Sequence, residues 1–156
     1  MRHLLTSVVL LVFLFPALAL GQEQGRLKDG VKDGPYVRYW MNGQVSSKKT
    51  WKDGKAYGPY VSYHENGQLY SKGTYKDGKL EGPYVSYWSN GQLEEEGTFK
   101  DRKKDGLWVR HHDNGQLRSE GTFKDGMLDG PVVTYHEDGT VDEERTGTYK
   151  DGVKVK

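Results

Sequence analysis

The 156-residue sequence predicts an all-β fold, an elongated single-layer antiparallel β-meander of about five 24-residue hairpin repeats that follows an N-terminal signal peptide. Two observations carry this prediction. Short motifs recur at a spacing of 24 residues, and each repeat contains two turn dipeptides separated by stretches rich in Tyr, Trp, Val and Thr. A third observation agrees with it, because no segment after the signal peptide shows the 3.6-residue apolar period of a helix.

Residues 1–21 have the features of a secretory signal peptide. A basic start at Arg2 precedes twelve uncharged residues, 4–15, and small residues follow Pro16. The apolar stretch is shorter than the about 20 residues that a membrane span needs. Cleavage after Ala19 or after Gly21 fits the pattern, with Gly21 favoured, and an uncleaved N-terminal anchor is the alternative.

We therefore expect an exported protein, periplasmic or extracellular, whose mature part is one repeat domain over residues 22–156 without a transmembrane span. The chain has no Cys, which excludes disulfides, thiolate metal sites and a cysteine nucleophile. Its net charge of +1 argues against a nucleic-acid partner. Since aliphatic residues are few, the aromatic residues must supply much of the buried area.

The repeat is clearest in two motifs. One is the triplet Asn-Gly-Gln, found at residues 42–44, 66–68, 90–92 and 114–116. The other begins with Gly and usually continues Pro-Tyr, and its copies start at residues 34, 58, 82, 106 and 130. Lys-Asp-Gly recurs with the same period, and its last copy, at 150–152, comes two residues late. Because these offsets are all even, each strand keeps the same face toward the same side of the sheet.

Asn-Gly and Asp-Gly favour two-residue type I′ turns, since both central residues need positive φ. A turn at Asn66-Gly67 pairs Tyr60 with Gly73 and His64 with Leu69. A turn at Asp77-Gly78 pairs Ser71 with Tyr84 and Gly73 with Gly82. One predicted side of the sheet then carries Tyr60, Ser62, His64, Leu69, Ser71, Gly73, Tyr75, Leu80, Gly82 and Tyr84. The other, more polar side carries Val61, Tyr63, Tyr70, Lys72, Thr74, Lys76 and Glu81.

Cross-strand pairing of a large ring with Gly explains the recurrent glycines, because the ring restores contacts that Gly lacks. The predicted pairs are Tyr60–Gly73, Tyr84–Gly97 and Trp108–Gly121. Two positions break the pattern. Lys49 replaces the Gly opposite Tyr36, which predicts looser packing in the first unit. Arg102 replaces a turn Gly, which predicts a wider loop over residues 101–105.

The run Gly-Thr-Tyr-Lys-Asp-Gly-Lys-Leu-Glu-Gly, residues 73–82, resembles the core of a MORN repeat. The Asn-Gly-Gln-Leu and Gly-Pro-Tyr or Gly-Leu-Trp elements resemble the bacterial MORN-variant repeats, which are often described as antitoxin-type proteins. The resemblance covers about residues 25–152. It implies an elongated antiparallel sheet and a role in interaction, and it does not define a ligand.

The sequence predicts neither a metal site nor catalysis. His64, His112 and His136 occupy equivalent positions, but equivalent strands lie about 9.5 Å apart, too far for shared zinc ligation. Most Asp residues belong to turns. No nucleophile elbow or phosphate-binding loop is present, so we expect no cofactor and no enzyme.

The candidate binding surface is the aromatic-rich side, with Tyr60, His64, Tyr84, Trp88, Trp108 and His112 as candidate residues. The structural interpretation is that these rings only stack on one another and hold the sheet together. The functional interpretation is a non-catalytic exported scaffold that binds a protein partner, or a second copy of itself, through this side. A carbohydrate or cell-wall binding module and an antitoxin-like role are the alternatives.

Overall fold

The computed structural model describes residues 22–156, so the predicted signal peptide and its cleavage site lie outside the described part. Residues 22–156 form one open antiparallel sheet of 13 strands in which sequence neighbours pair, and they contain no helix. The predicted all-β meander is therefore confirmed. Nowhere in 22–156 is there an apolar helix of the length needed to cross a bilayer.

The strands occur in the following order: β1 Glu23–Lys28, β2 Val31–Tyr39, β3 Val45–Lys52, β4 Lys55–Tyr63, β5 Leu69–Lys76, β6 Lys79–Leu80, β7 Gly82–Tyr87, β8 Leu93–Lys100, β9 Lys103–His111, β10 Leu117–Lys124, β11 Met127–Thr134, β12 Gly147–Lys150 and β13 Val153–Lys154. β5 pairs with both β6 and β7, which together correspond to one long strand of the other repeats.

The Asp-Gly turns are as predicted. Asp77 has φ of 50° and Gly78 has φ of 77°, and Lys76 pairs with Lys79 across them. Positive φ at both central residues defines the type I′ turn, whose twist matches that of the flanking strands.

The predicted two-residue turn at Asn66-Gly67 is wrong. Gly67 has φ of 84° but Asn66 is not in the positive-φ region, and the Gly67 amide donates to the His64 carbonyl at 2.9 Å. The His64 amide donates to the Gln68 carbonyl at 2.8 Å, which leaves a three-residue loop with a glycine bulge. The Asn66 side chain has another role, because its Nδ2 donates to the Ser89 carbonyl of the next repeat at 2.7 Å.

This longer loop moves two residues to the opposite face from the one predicted. Leu69 pairs with Tyr63 instead of His64, and a bulge at Tyr70 then restores the predicted pair of Ser62 with Ser71. Leu69 therefore lies on the side of Tyr63. The ring of Tyr70 lies 4.9 Å from the ring of His64, on the other side.

The Gly-Pro motif is a two-residue bulge, which the predicted register lacked. Ser71 pairs with Ser86, not Tyr84, and Gly73 does not pair with Gly82. The same shift separates the pair Trp51–Ala56 from the pair Lys49–Tyr60. Since two residues are inserted, the side chains beyond the bulge keep their faces.

Arg102 also differs from prediction, because the loop at 101–105 is not widened. Asp101 has φ of 51° and Arg102 has φ of 70°, and Lys100 pairs with Lys103 across a tight turn. The preceding repeat holds this conformation. The Arg102 amide donates to the Leu80 carbonyl at 3.3 Å, and the Asp101 amide donates to the Glu81 carboxylate at 3.0 Å.

The other predicted pairings hold. Tyr60 pairs with Gly73, Tyr84 with Gly97 and Trp108 with Gly121. A Cβ placed on Gly73 would meet the rings of both Tyr60 and Tyr84, so these two rings share one face as predicted. The late last copy also keeps its face, since Gly147 pairs with Val132 and Tyr149 with Gly130.

Candidate functional site

Three of the six predicted site residues, Tyr60, Tyr84 and Trp108, lie among the aromatic rings of one face, which we call the ring layer. The Trp108 ring centroid lies 5.9 Å from that of Tyr84 and 5.0 Å from that of Phe99. Trp108 is only 2% exposed, and its Nε1 donates to the Thr98 carbonyl at 3.1 Å. The surface of Trp108 is therefore already used in holding the sheet together.

The ring layer gives the recurrent glycines a second role besides cross-strand pairing, because their missing Cβ atoms leave room for rings of the next strand. A Cβ on Gly97 would overlap the Trp108 ring, and one on Gly25 would overlap the Tyr36 ring. Each of these rings covers the glycine eleven positions earlier, on the preceding strand. The missing Cβ thus creates the space that the next ring fills.

The other three predicted site residues, His64, Trp88 and His112, form a row of links between repeats at the Asn-Gly loops. His64 Nε2 lies 2.7 Å from the Tyr87 carbonyl, and His112 Nε2 lies 2.9 Å from the Tyr135 carbonyl. Trp88 Nε1 donates to the His111 carbonyl at 3.1 Å. Each bond joins residues 23 apart, so the row fixes one hairpin to the next.

Two ion triads bring charged residues into the ring layer. Glu95 Oε2 lies 2.6 Å from Lys104 Nζ and 3.0 Å from Arg110 Nε, and Lys104 Nζ lies 3.7 Å above the Trp108 ring. The same arrangement, 72 residues earlier, joins Glu23 to Lys32 and Arg38. In the other repeats Ser, Thr, Ala or Leu occupies these positions.

Lys49, which replaces the glycine of the first repeat, does not disrupt the pairing. It pairs with Tyr36 on one side and Tyr60 on the other, and its Nζ lies 4.6 Å above the Tyr75 ring. The cation–π contact and the aliphatic stem fill the space that a ring fills elsewhere.

Burial in the ring layer shifts the titration of its polar groups. It raises the pKa of Tyr84 to about 12, and it raises the pKa of Tyr60 and of Tyr75. Burial lowers the pKa of Lys104, against the opposing effect of the hydrogen bond to Glu95. These shifts follow from desolvation of the charged form in a packed layer.

An open groove lies on the opposite face, which we call the valine face. It has a volume of about 1130 Å³ and spans four repeats. Its lining contains three repeated sets of side chains, Val37, Val61, Val85 and Val109; Pro35, Pro59, Pro83 and Leu107; and Thr50, Thr74 and Thr98. Our sequence analysis missed this surface because it treated the side as polar. The signal was present in the valine that follows each Gly-Pro-Tyr or Gly-Leu-Trp.

One row of residues crosses the valine face at right angles to the strands, and we call it the central row. Consecutive pairings define it: Lys48 with Val61, Val61 with Lys72, Lys72 with Val85, Val85 with Glu96, Glu96 with Val109, and Val109 with Glu120. Val37 pairs with Lys48 at one end and Val133 with Glu120 at the other. Within residues 22–156, none of the four charged members takes part in an ion pair.

A smaller, polar pocket of about 510 Å³ lies near the last Asn-Gly-type loops. Trp88 and His112 line it together with Arg118, Asp142 and Arg145. Trp88 and His112 are two of the predicted site residues, and two others, Tyr60 and Tyr84, are among the residues that line the groove on the valine face. No group of three or more His, Asp or Glu side chains in that range is arranged to hold a metal ion.

Comparison with known proteins identifies a family for this chain. The sequence profile of the MORN repeat variant family matches residues 56–77, 80–101, 104–125 and 128–151. The comparison with curated proteins finds no match. A solved structure, the crystal structure of a GtfA/B complex bound to UDP and GlcNAc, aligns with 89% of this chain at 12% identity and a TM-score of 0.33. This chain spans 26% of the length of that one.

Proposed function

We propose that this chain, which belongs to the MORN repeat variant family, is an exported, non-catalytic repeat module that binds a protein partner through the valine face. The family suggests a repeat-based binding module, and export rests on the features of residues 1–21. The binding surface differs from the aromatic-rich side named by sequence analysis, for a reason that lies in the packing.

The observation that carries the proposal is the contrast in exposure between adjacent residues of β9. Trp108 is 2% exposed on the ring layer, whereas Leu107 is 59% exposed on the valine face. A groove with repeated Val, Pro and Thr side chains is an apolar surface of the kind that proteins use for interaction. In the ring layer, by contrast, aromatic rings such as Trp108 are already packed against one another.

Affinity capture from the native envelope or culture medium tests the surface. Immobilised protein with Val85→Glu or Val109→Glu should lose a partner that the unchanged protein retains, because each change places a carboxylate in the groove. Tyr70→Glu is the matched control, since Tyr70 is exposed on the other side of the sheet. Equal partner recovery by all of these variants would reject the valine face as the binding surface.

Export is tested separately on the full chain. Expression from residue 1 should give a processed protein whose mass begins at Gln22, or at Leu20 if cleavage follows Ala19. An unprocessed chain that stays with the membrane fraction would identify residues 1–21 as an anchor.

The polar pocket favours a second candidate function, carbohydrate binding. It combines an indole, at Trp88, with charged groups of Arg118, Asp142 and Arg145, which can hydrogen-bond to hydroxyls. Incubation with insoluble glycans should then deplete the protein from solution, and Arg118→Ala should reduce that depletion while Val85→Glu does not. No depletion at high protein concentration would remove this candidate.

A further inference from the structure

We infer that the protein partner of the valine face is a second copy of this chain, packed face to face about a twofold axis that lies parallel to the strands and over Val85. The inference rests on the proposed function, because it names the partner for the same surface. The two sheets would run in opposite directions along the repeat axis and form a two-layer sandwich.

The order of charges in the central row supports this arrangement. From one end to the other the row is Val37, Lys48, Val61, Lys72, Val85, Glu96, Val109, Glu120 and Val133. Reversing the row about Val85 leaves every valine in place and exchanges each Lys for a Glu. A second copy related by the twofold axis would therefore place Lys72 opposite Glu96, and Lys48 opposite Glu120.

A parallel arrangement of two copies is disfavoured by the same row. It would set Lys72 against Lys72 and Glu96 against Glu96, and like charges across an interface are repulsive. Since none of the four charges is paired within residues 22–156, all four are available to a partner.

The remaining side chains of the valine face are compatible with the same axis. Leu107 would lie opposite Pro59, and Thr74 opposite Thr98. Apolar side chains would therefore contact apolar ones, and small polar side chains would contact small polar ones. A twofold contact of this sort uses one patch on both copies. Packing about an axis along the strands also keeps the two strand directions close to aligned, as in natural β-sandwiches.

The available area is adequate for a dimer. Nine strands at about 4.8 Å spacing span roughly 38 Å, and five residues along each strand span about 17 Å. The flat area is therefore about 650 Å², and side-chain relief adds to it. Specific interfaces bury about 800 Å² on each partner.

Charge exchange tests the arrangement in solution. One variant carries Lys48→Glu and Lys72→Glu, and a second carries Glu96→Lys and Glu120→Lys. The unchanged protein should be dimeric by sedimentation equilibrium, and each variant alone should dissociate at least tenfold more readily. An equimolar mixture of the two variants should regain the dimer, because every charged position then faces its opposite.

A cysteine at the axis gives an independent readout that does not depend on charge. The chain has no Cys, so Val85→Cys treated with a bifunctional thiol reagent that spans about 10 Å, the distance between two packed sheets, should give a covalently linked dimer. Tyr70→Cys, on the other side of the sheet, is the matched control and should stay monomeric on a denaturing gel. Circular dichroism of every variant checks that the sheet is retained.

The outcomes separate this inference from the proposed function. A monomeric unchanged protein that still loses a captured partner on Val85→Glu would overturn the homodimer and leave the valine face as a site for a different protein. A dimer that neither charge variant weakens and that Val85→Cys does not cross-link would overturn the assigned face. Restoration by the mixture, together with cross-linking at residue 85, is the expected result.

Discussion

The two faces of the sheet use the same 24-residue period for different purposes. On the ring layer, Trp108 contacts Tyr84, Phe99 and Phe123, and the glycine column leaves room for these rings. On the valine face, the short Val and Thr side chains cannot reach those of equivalent strands about 9.5 Å away, so they leave an open groove. A single-layer sheet can thus be stabilised from one side and leave the other side free for a partner.

The largest expected effect compares adjacent residues of β9. Trp108→Ala should lower the free energy of unfolding by about 3–5 kcal/mol, because it leaves a cavity in the ring layer. Leu107→Ala should change it by no more than about 0.5 kcal/mol in the monomer, since Leu107 is largely exposed. Urea unfolding of both variants measures the difference, and equal losses would abolish the distinction between the faces.

A smaller effect is expected at the glycine column. Gly97→Ala places a Cβ against the Trp108 ring and should cost about 1–3 kcal/mol, because the ring must leave its position. Thr98→Ala, at the next residue and on the valine face, is the control and should be close to neutral. A stable Gly97→Ala protein with an unchanged Trp fluorescence spectrum would contradict the proposed role of the missing Cβ.

The ion triad on the ring layer gives a still smaller effect. Replacing Glu95, Lys104 and Arg110 together by Ser, Leu and Ser copies the residues of the preceding repeat, Ser71, Leu80 and Ser86. The triple variant should lie within about 1 kcal/mol of the unchanged protein, because an uncharged set that already packs at these positions in the preceding repeat replaces a partly buried ion set.

Lys104→Leu alone is the matched comparison for the triple variant. It should be less stable than the triple variant, because Glu95 then loses its partner at 2.6 Å. Thermal unfolding measures both. A triple variant less stable than Lys104→Leu would contradict this expectation. It would mean that the ion triad stabilises the ring layer more than the packing of Ser, Leu and Ser does.

The smallest effect is a dependence of stability on alkaline pH. The pKa of Tyr84 is raised to about 12 from an unfolded value of 10, so the unfolded chain releases its proton first. The stabilisation that burial of the neutral phenol provides is complete below pH 10 and is lost as the pH rises from 10 to about 12. Tyr84→Phe should reduce the slope of the urea midpoint against pH in that range, and Tyr63→Phe on the valine face is the control. An unchanged slope in Tyr84→Phe would contradict burial of the phenol.

Local sequence predicted the features that depend on backbone conformation and period. Asp77-Gly78 forms the expected type I′ turn because Gly and Asp tolerate positive φ there. Tyr60, Tyr84 and Trp108 share one face because the repeat offset is even. The pairs of these rings with glycines on the following strand were also predictable.

Contacts between repeats decided the features that sequence analysis missed. Asn66 does not enter a two-residue turn, because its side chain donates to the Ser89 carbonyl of the next repeat while a three-residue loop satisfies the backbone. Arg102 keeps positive φ because its amide is held by Leu80 of the preceding repeat. Neither bond can be inferred from the dipeptide alone.

In the candidate site, too, the sequence identified residues whose role depends on contacts between repeats. His64, Trp88 and His112 are three of the predicted binding residues, and the structure uses each of them to link one hairpin to the next. Their role as binding residues stays a prediction. The valine face was overlooked because Lys72 and its neighbours made that side look polar, and only the pairing of Lys72 with Val85 and of Val85 with Glu96 places them in one row.

By itself, the sequence determined an all-β chain of 24-residue hairpins with its rings on one side, because turn chemistry and an even period act within each repeat. The tertiary structure decided which side of the sheet buries its side chains against one another and which side remains open. That choice depends on whether a side chain reaches the equivalent strand of the next repeat, about 9.5 Å away, and the rings of Tyr and Trp span that distance whereas Val and Thr do not.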